Sequence, residues 1–436
     1  MTGLTPSFLA HGVGSVYESP IPVGAYLAGA AGTVLASFGI RILSTTRPEA
    51  GRRYQVAGRR TARWLTYVLR GLGVVGLALT LASGVIVRGE GGPLVPLLFW
   101  VGLVVGVTIA SALVAGTWAA VDPWGTIESG YRIDEQHGRS RTPPWWLGPV
   151  LLYGLFWFEL VSESGFEDVG IVFVLVLYSV FAFGLRSMLG EHWRTTDPLS
   201  ILFGFAERTA PFELEHDGIY ARSPLTSLDQ PHPLQAGLTA SVFVLLASTT
   251  LDNVRETVGW SSFLTDIGVA DFSATIVDSL ALIVFTGLFA APFVAAIALA
   301  RVWLPKSRSL GETVRLFAWS LIPIGIAYLL AHNAPLFISG IPQVIRGLAD
   351  PFGFGWNLLG AGALFEGYVP SPRFVWFVEI GIIVGGHILG VLTAHRTALR
   401  ASESPQRAVR SQYPLMALMT IYTVATLWLL SQPLVT

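Results

Sequence analysis

The sequence predicts an all-α integral membrane protein, a single polytopic domain over residues 1–436 with about ten transmembrane helices. Hydrophobic residues make up 52% of the chain and charged residues only 13%, whereas a soluble globular chain carries roughly 25% charged residues. The apolar residues also occur in runs of about 20, the length that crosses ~30 Å of hydrocarbon. Between these runs, arginine-rich loops alternate with acidic loops, which indicates a defined orientation in a membrane.

Each predicted span combines this length with few charged residues. The spans are 22–42, 65–87, 94–120, 146–162, 169–189, 233–251, 277–303, 314–338, 373–394 and 413–431.

The distribution of charge predicts which loops face the cytoplasm. Loop 41–63 contains seven arginines, whereas loop 162–168 carries only acidic charges. Because basic loops remain on the cytoplasmic side, loop 41–63 should lie inside and loop 162–168 outside. An even number of spans then places both termini outside a cell membrane, so we expect a multi-pass protein with extracytoplasmic ends.

The largest inner loop, 190–232, has two features of its own. The apolar stretch 198–212 is typical of a helix that lies in the membrane interface. Residues 213–222 alternate polar and apolar side chains around Asp217-Gly218, which predicts a small cytoplasmic β-hairpin.

A short motif recurs five spans apart. Asp122-Pro-Trp-Gly125 follows the third span and Asp350-Pro-Phe-Gly353 follows the eighth. An odd number of spans between copies inverts one relative to the other, so this echo predicts a weak inverted repeat of 1–190 and 231–436. Inverted repeats are typical of transporters.

Ionisable residues are costly inside a bilayer, so each one is a candidate functional residue. His332, Glu379 and Asp252 lie in the predicted outer halves of their spans, and His11 lies in the outer N-terminal segment. Histidine and carboxylate groups in that setting can bind a metal ion or relay protons. Four further candidates are Glu159, Asp278, His387 and His395.

Depth separates two of the histidines. His332 lies six residues before 338, where the eighth span reaches the outer surface, and His387 lies fourteen residues after Arg373, where the ninth begins. At 1.5 Å per residue the two rings differ in depth by roughly 12 Å, too far for one ion. We therefore expect His332 to have its partners among Glu379, Asp252 and His11, and His387 to lie outside that site.

Each candidate also has a structural explanation. His332 could bond a neighbouring helix, Glu379 could be a paired structural carboxylate, and His387 beside Gly385-Gly386 could bond across a close helix contact. Arg186 lies close enough to the cytoplasmic face to extend its charge into the headgroup region.

Several classes of chemistry are excluded. The chain has no cysteine, so disulfides and thiolate sites are ruled out. It also lacks the Gly-Lys-Ser/Thr phosphate loop, the His-Glu-x-x-His helix and the Gly-x-Ser-x-Gly elbow. The arginines mark topology, so nucleic acid is not an expected partner. The expected partners are the lipid bilayer and a small molecule or ion, and no protein partner can be named.

The motif His11-Gly-Val-Gly-Ser-Val-Tyr-Glu-Ser-Pro-Ile-Pro22 resembles the N-terminus of the fenitrothion hydrolase family of actinobacterial and archaeal membrane proteins. Four further stretches and the C-terminal region are also similar to that family: Thr195–Ser200, Ser248–Asp252, Ala331–Asn333 with Asp350–Asn357, Gly386-His387 with Ala394-His395, and Ser411–Met419. The resemblance implies a membrane-bound hydrolase of organophosphate esters.

With this resemblance, the leading hypothesis is a metal-assisted hydrolase of apolar phosphoesters with an outward-facing pocket. Catalysis would involve His332, Asp252 and Glu379, and the metal-ligand candidates are His11, His332 and His387, holding a divalent metal ion of unspecified identity. One alternative is a transporter or channel for a metal ion or small solute. Another is an accessory subunit that binds haem through His332 and His387.

Overall fold

The computed structural model describes residues 53–86, 94–131, 142–268, 271–364, 370–430 and 432, together with Gly24, Gly29 and Gly32. Within these ranges six helices are long and apolar enough to cross a membrane, or seven if one bent pair is counted as a span. A multi-pass membrane protein follows from this. The predicted span 22–42 lies outside the described residues apart from its three glycines. Ten spans and external termini stay predictions.

The described helices and strands are numbered here in chain order. The helices are α1 (Arg59–Ile86), α2 (Leu94–Leu113), α3 (Thr117–Val121), α4 (Pro123–Tyr131), α5 (Leu147–Leu160), α6 (Asp168–Leu189), α7 (Pro198–Glu207), α8 (Pro224–Leu228), α9 (Ala236–Arg255), α10 (Val258–Asp266), α11 (Asp271–Ala300), α12 (Leu310–Phe317), α13 (Ile322–His332), α14 (Ala334–Ala349), α15 (Pro372–Ala401) and α16 (Pro405–Leu430). The strands are β1 (Tyr54–Gly58), β2 (Val114–Ala115), β3 (Phe212–Glu215) and β4 (Gly218–Ala221).

Burial separates central helices from peripheral ones. In the most apolar stretch of α9, 67% of the residues are buried, whereas in that of α1 only 11% are buried. Helix α6 exposes Val169, Phe173, Val176 and Val180, a spacing of three or four residues that places them on one helical face. A continuous apolar face exposed in this way is suited to contact with lipid tails.

The predicted span 94–120 is wrong as a continuous helix. Helix α2 ends at Leu113, Val114 and Ala115 are extended, and Gly116 adopts a left-handed conformation with φ of 86° before α3 begins. A Cβ atom on Gly116 would lie 2.6 Å from the carbonyl oxygen of Leu214. Only glycine suits both this backbone angle and this close approach, so the chain breaks here.

The predicted hairpin at 213–222 is confirmed, and it belongs to a larger sheet. Strands β3 and β4 pair antiparallel around Asp217-Gly218. β4 also pairs with β1, and β3 pairs in parallel with β2, so the order is β1-β4-β3-β2. The two outer strands come from segments far away in sequence. Local alternation therefore predicted the hairpin but not the strands beside it.

The predicted span 314–338 is also interrupted, in two places. The helical segments Leu310–Ser320 and Ile322–His332 meet at an angle of 43°. A second break at Asn333 ends α13, and α14 then continues to Ala349, beyond the predicted end of the span at 338. Pro323 and Pro335 stand just after the two breaks, where a proline ring removes a helical hydrogen bond and opposes the preceding turn.

The apolar stretch 198–212 does not lie on a lipid interface. Eight of the ten residues of α7 are buried, and the helix packs against α2 and α5 inside the protein. Asp197 caps its first turn by accepting a hydrogen bond from the Ser200 backbone amide at 2.7 Å. The hydrophobicity of this segment is satisfied by protein contacts rather than by lipid.

Helices α13 and α15 pack closely. A Cβ atom on Gly386 would lie 2.2 Å from the Cβ of Ala327 and 2.6 Å from the carbonyl oxygen of Pro323, whereas one on Gly385 would meet nothing within 4 Å. The close helix contact expected beside Gly385-Gly386 therefore depends on Gly386. This contact fixes the position of α15 relative to His332 at the end of α13.

Candidate metal centre

Two carboxylates lie close together at the end of α9, one in its last turn and one directly after it. Asp252 and Glu256 are four residues apart, and this spacing brings side chains together on a helix. Asp252 was a predicted site residue, whereas Glu256 was not. The spacing of four from Asp252 is the sequence signal that would have identified it.

His332 meets this pair from the neighbouring helix. It is the last residue of α13, and its Nε2 lies 2.5 Å from Oδ2 of Asp252. One ligand atom each from Asp252, Glu256 and His332 lie within 4.8 Å of one another. Among the described residues, this is the one group of three or more His, Asp or Glu side chains close enough to hold a metal ion.

Further carboxylates surround these three residues. Glu159, near the end of α5, interacts electrostatically with both Asp252 and His332, and Glu379 of α15 interacts with His332. Together these residues form the acidic end of the bundle: Glu159, Asp252, Glu256, His332 and Glu379. Four carboxylates around one imidazole favour a positively charged ligand, because their mutual repulsion falls when a cation binds.

A nearby arginine is held apart from the acidic end by its own partners. Arg255 donates from Nε to Oδ2 of Asp278 at 2.9 Å and from its guanidinium to the carbonyl oxygen of Leu160. Trp260 donates to the other oxygen of Asp278 at 3.2 Å. Asp278, a candidate from the sequence, thus forms an ion pair with Arg255. Arg255 is the arginine nearest in sequence to Glu256, and its positive charge is paired with Asp278 instead.

A buried hydroxyl adjoins the site. Tyr328 precedes His332 by one helical turn and is 4% exposed. Its hydroxyl lies near Thr250 and interacts electrostatically with Asp252 and Glu256, yet it makes no hydrogen bond of normal geometry with any described residue. The position of this hydroxyl one turn before His332 leaves it suited to a ligand bound beside Asp252.

The other predicted histidines have different surroundings. His11 lies outside the described residues. His387 is buried and its Nδ1 bonds the carbonyl oxygen of Ile383 on its own helix at 2.8 Å, so it does not bond across the contact with α13 through that atom. His395 bonds Oε1 of Gln412 at 3.0 Å, between α15 and α16. Neither His387 nor His395 belongs to the group at His332.

Arg186 does not extend towards the membrane surface, contrary to the expectation from its position. It is 5% exposed and forms an ion pair with Asp122. Its guanidinium also lies 3.7 Å from the ring centre of Trp193. The arginine instead stabilises the turn that follows α3.

No protein-family model, no curated protein and no solved structure matches this chain.

Proposed function

We propose that this multi-pass membrane protein binds a divalent metal ion through Asp252, Glu256 and His332 and uses it to hydrolyse apolar phosphoesters. The observation that carries the proposal is the convergence of these three side chains, from two helices, within 4.8 Å. The hydrolytic part also draws on the resemblance of the sequence to the fenitrothion hydrolase family.

The three donors are chemically suited to Zn²⁺, Mn²⁺ or Fe²⁺. Two carboxylates and one imidazole are ligands that these ions accept. Three protein ligands also leave a coordination position for water, as in catalytic zinc sites. The ion would supply a more acidic water and polarise a phosphoryl oxygen.

The remaining residues of the acidic end provide the other functions that hydrolysis needs. Glu159 and Glu379 are carboxylates beside His332, so either can accept a proton from the attacking water. The Tyr328 hydroxyl can donate to a substrate oxygen. Apolar side chains of the bundle border these groups, and an apolar ester would reach them from the bilayer.

Metal binding is tested by titrating the purified protein in nanodiscs with Zn²⁺ or Mn²⁺ in a calorimeter. The variants Asp252→Asn and His332→Gln should each bind more than about 100-fold more weakly, because they remove a direct ligand and loss of supporting groups alone costs 10–100-fold. His387→Gln is the matched control and should bind as the native protein does. Equal affinity of His332→Gln and the native protein would exclude the site.

Hydrolysis is tested separately with the metal-loaded protein and p-nitrophenyl phosphotriesters, following release of p-nitrophenol. Glu159→Gln and Glu379→Gln keep all three metal ligands, so the variant that lacks the base should bind metal normally and lose about 10²–10⁴-fold in rate. Metal binding without turnover of any ester would exclude the hydrolase and leave the metal site intact.

Transport of a metal ion is the second candidate, and the interrupted helices favour it. Helix α13 ends at His332 and α14 begins at Ala334, so a helix break lies directly beside the proposed metal ligand; broken helices beside ion sites are typical of secondary transporters. Proteoliposomes loaded with a metal-sensitive dye distinguish the two. Uptake that requires Asp252 would support transport, whereas an impermeable vesicle with ester turnover would support hydrolysis.

A further inference from the structure

The opposite end of the bundle contains a cavity of about 450 Å³. It lies between α3, α7, the sheet, the start of α9 and the bend between α12 and α13. Its lining includes Trp118, Trp193 and Trp319 with Arg194, Arg208 and Arg222. This cavity forms the arginine end of the bundle. Its volume lies within the range of ~300–1,000 Å³ typical of small-molecule sites.

Two of the three arginines form no ion pair among the described residues, although both interact electrostatically with Glu207. Arg208 lies over the ring of Trp319 at 5.0 Å and Arg194 lies 5.9 Å from the ring centre of Trp193. Neither guanidinium makes a hydrogen bond or an ion pair within the described part of the chain. Arg222, by contrast, bonds Oε1 of Glu213 at 3.1 Å.

The carboxylates that line the cavity are already engaged. Glu213 and Glu215 pair with Arg53, and Asp122 pairs with Arg186. Glu207 accepts the backbone amide of Trp118 at 3.1 Å, at the start of α3. Glu207 lies outside the candidate spans, and burial raises its pKa. Each of these four carboxylates therefore has a partner of its own, whereas the guanidinium groups of Arg194 and Arg208 keep donors for a ligand.

We propose that the arginine end binds a phosphate-bearing molecule, with the phosphate held between Arg194 and Arg208. A guanidinium offers two parallel N–H donors that match phosphate oxygens, which a single amine cannot do. The indole rings of Trp118 and Trp319 provide an apolar surface for the rest of the ligand. Arg194 is exposed, so it marks the mouth through which the phosphate enters. This inference does not depend on the proposed metal site.

The phosphate could belong to a membrane lipid or to a water-soluble molecule, and one set of variants tests both. In the first arm, phenyl phosphate is titrated into the full-length protein in nanodiscs of neutral phosphatidylcholine. In the second arm, the protein is taken from nanodiscs that contain phosphatidic acid, and native mass spectrometry counts the phosphatidic acid molecules that it retains. In whichever arm the native protein binds its probe, we expect Arg208→Gln to weaken that binding about tenfold or more. Arg407→Gln removes an exposed arginine outside the cavity and should change neither.

Two controls keep the outcome clear. Arg208→Lys retains the charge and one donor direction, so it should retain part of the affinity. The melting temperature of each variant reports whether that variant folds. Binding of phenyl phosphate identifies a soluble ligand, and retention of phosphatidic acid alone identifies a lipid. Failure of the native protein to bind either probe would overturn the proposal, as would a folded Arg208→Gln protein that binds as tightly as the native one.

Discussion

The two ends of the bundle offer opposite electrostatic environments on the same pair of helices. The acidic end gathers four carboxylates around His332, whereas the arginine end presents Arg194 and Arg208, which form no ion pair in the described structure. Helix α9 runs from Leu238 at the cavity to Asp252, about 21 Å along its axis. Helix α13 runs from Ile322 at the cavity to His332, about 15 Å.

The difference teaches how one apolar scaffold can hold two charged sites. Opposite charges that pair with each other within one site weaken its attraction for a charged ligand, and the carboxylates that line the arginine end have partners of their own. Separated by two or more turns of buried helix, the carboxylates keep their affinity for a cation and the arginines keep theirs for an anion. Arg255 and Asp278 follow the same rule, because they pair beside the acidic end rather than within it.

The largest expected effect concerns the side of the membrane on which each end lies. The chain has no cysteine, so Ser261→Cys, beside the acidic end, and Gln406→Cys, in a predicted cytoplasmic loop, can each be labelled alone. In intact cells an impermeant maleimide should react with the first and not with the second, following the positive-inside rule. Labelling of both from the same side would remove the contrast between the ends.

A buried ion pair at the arginine end should have the next largest effect. Asp122→Asn leaves the 5%-exposed Arg186 with only Glu128, at 3.7 Å. Loss of one partner of a buried pair costs about 3–5 kcal/mol in the free energy of unfolding, measurable by denaturation in mixed micelles. Glu403→Gln is the control, since its pair with Arg407 is exposed and should change stability by less than about 0.5 kcal/mol. Equal effects would mean that the pair at Asp122 is solvated.

Close packing between α13 and α15 gives the smallest effect. Gly386→Ala adds a Cβ 2.2 Å from that of Ala327, so the helices must separate, at a cost of about 1–3 kcal/mol in the free energy of unfolding. Gly385→Ala is a neighbouring control with open space and should be neutral or stabilising by up to about 1 kcal/mol. If both variants unfold alike, α15 does not pack on α13 as described, and the place of Glu379 beside His332 is lost too.

Part of the candidate site was accessible from the sequence. His332, Asp252 and Glu379 were singled out because each is an ionisable group in an apolar span, and the structure brings Asp252 into contact with His332. Glu256 was missed because it lies just beyond the predicted span, where acidic residues are ordinary. The cavity with Arg208 was missed because its walls come from segments distant in sequence.

The sequence by itself determined the membrane class, the approximate position of the helices and the β3–β4 hairpin. Each of these follows from local composition: runs of apolar residues, alternation of charge between loops, and a period of two around Asp217-Gly218. Only the tertiary structure decided where helices break and which side chains meet. Gly116 interrupts a helix because β2 pairs beside it and Leu214 approaches it, and Arg186 is buried because Asp122 lies opposite. Such contacts join residues far apart in the chain, so their energies have no counterpart in any local pattern.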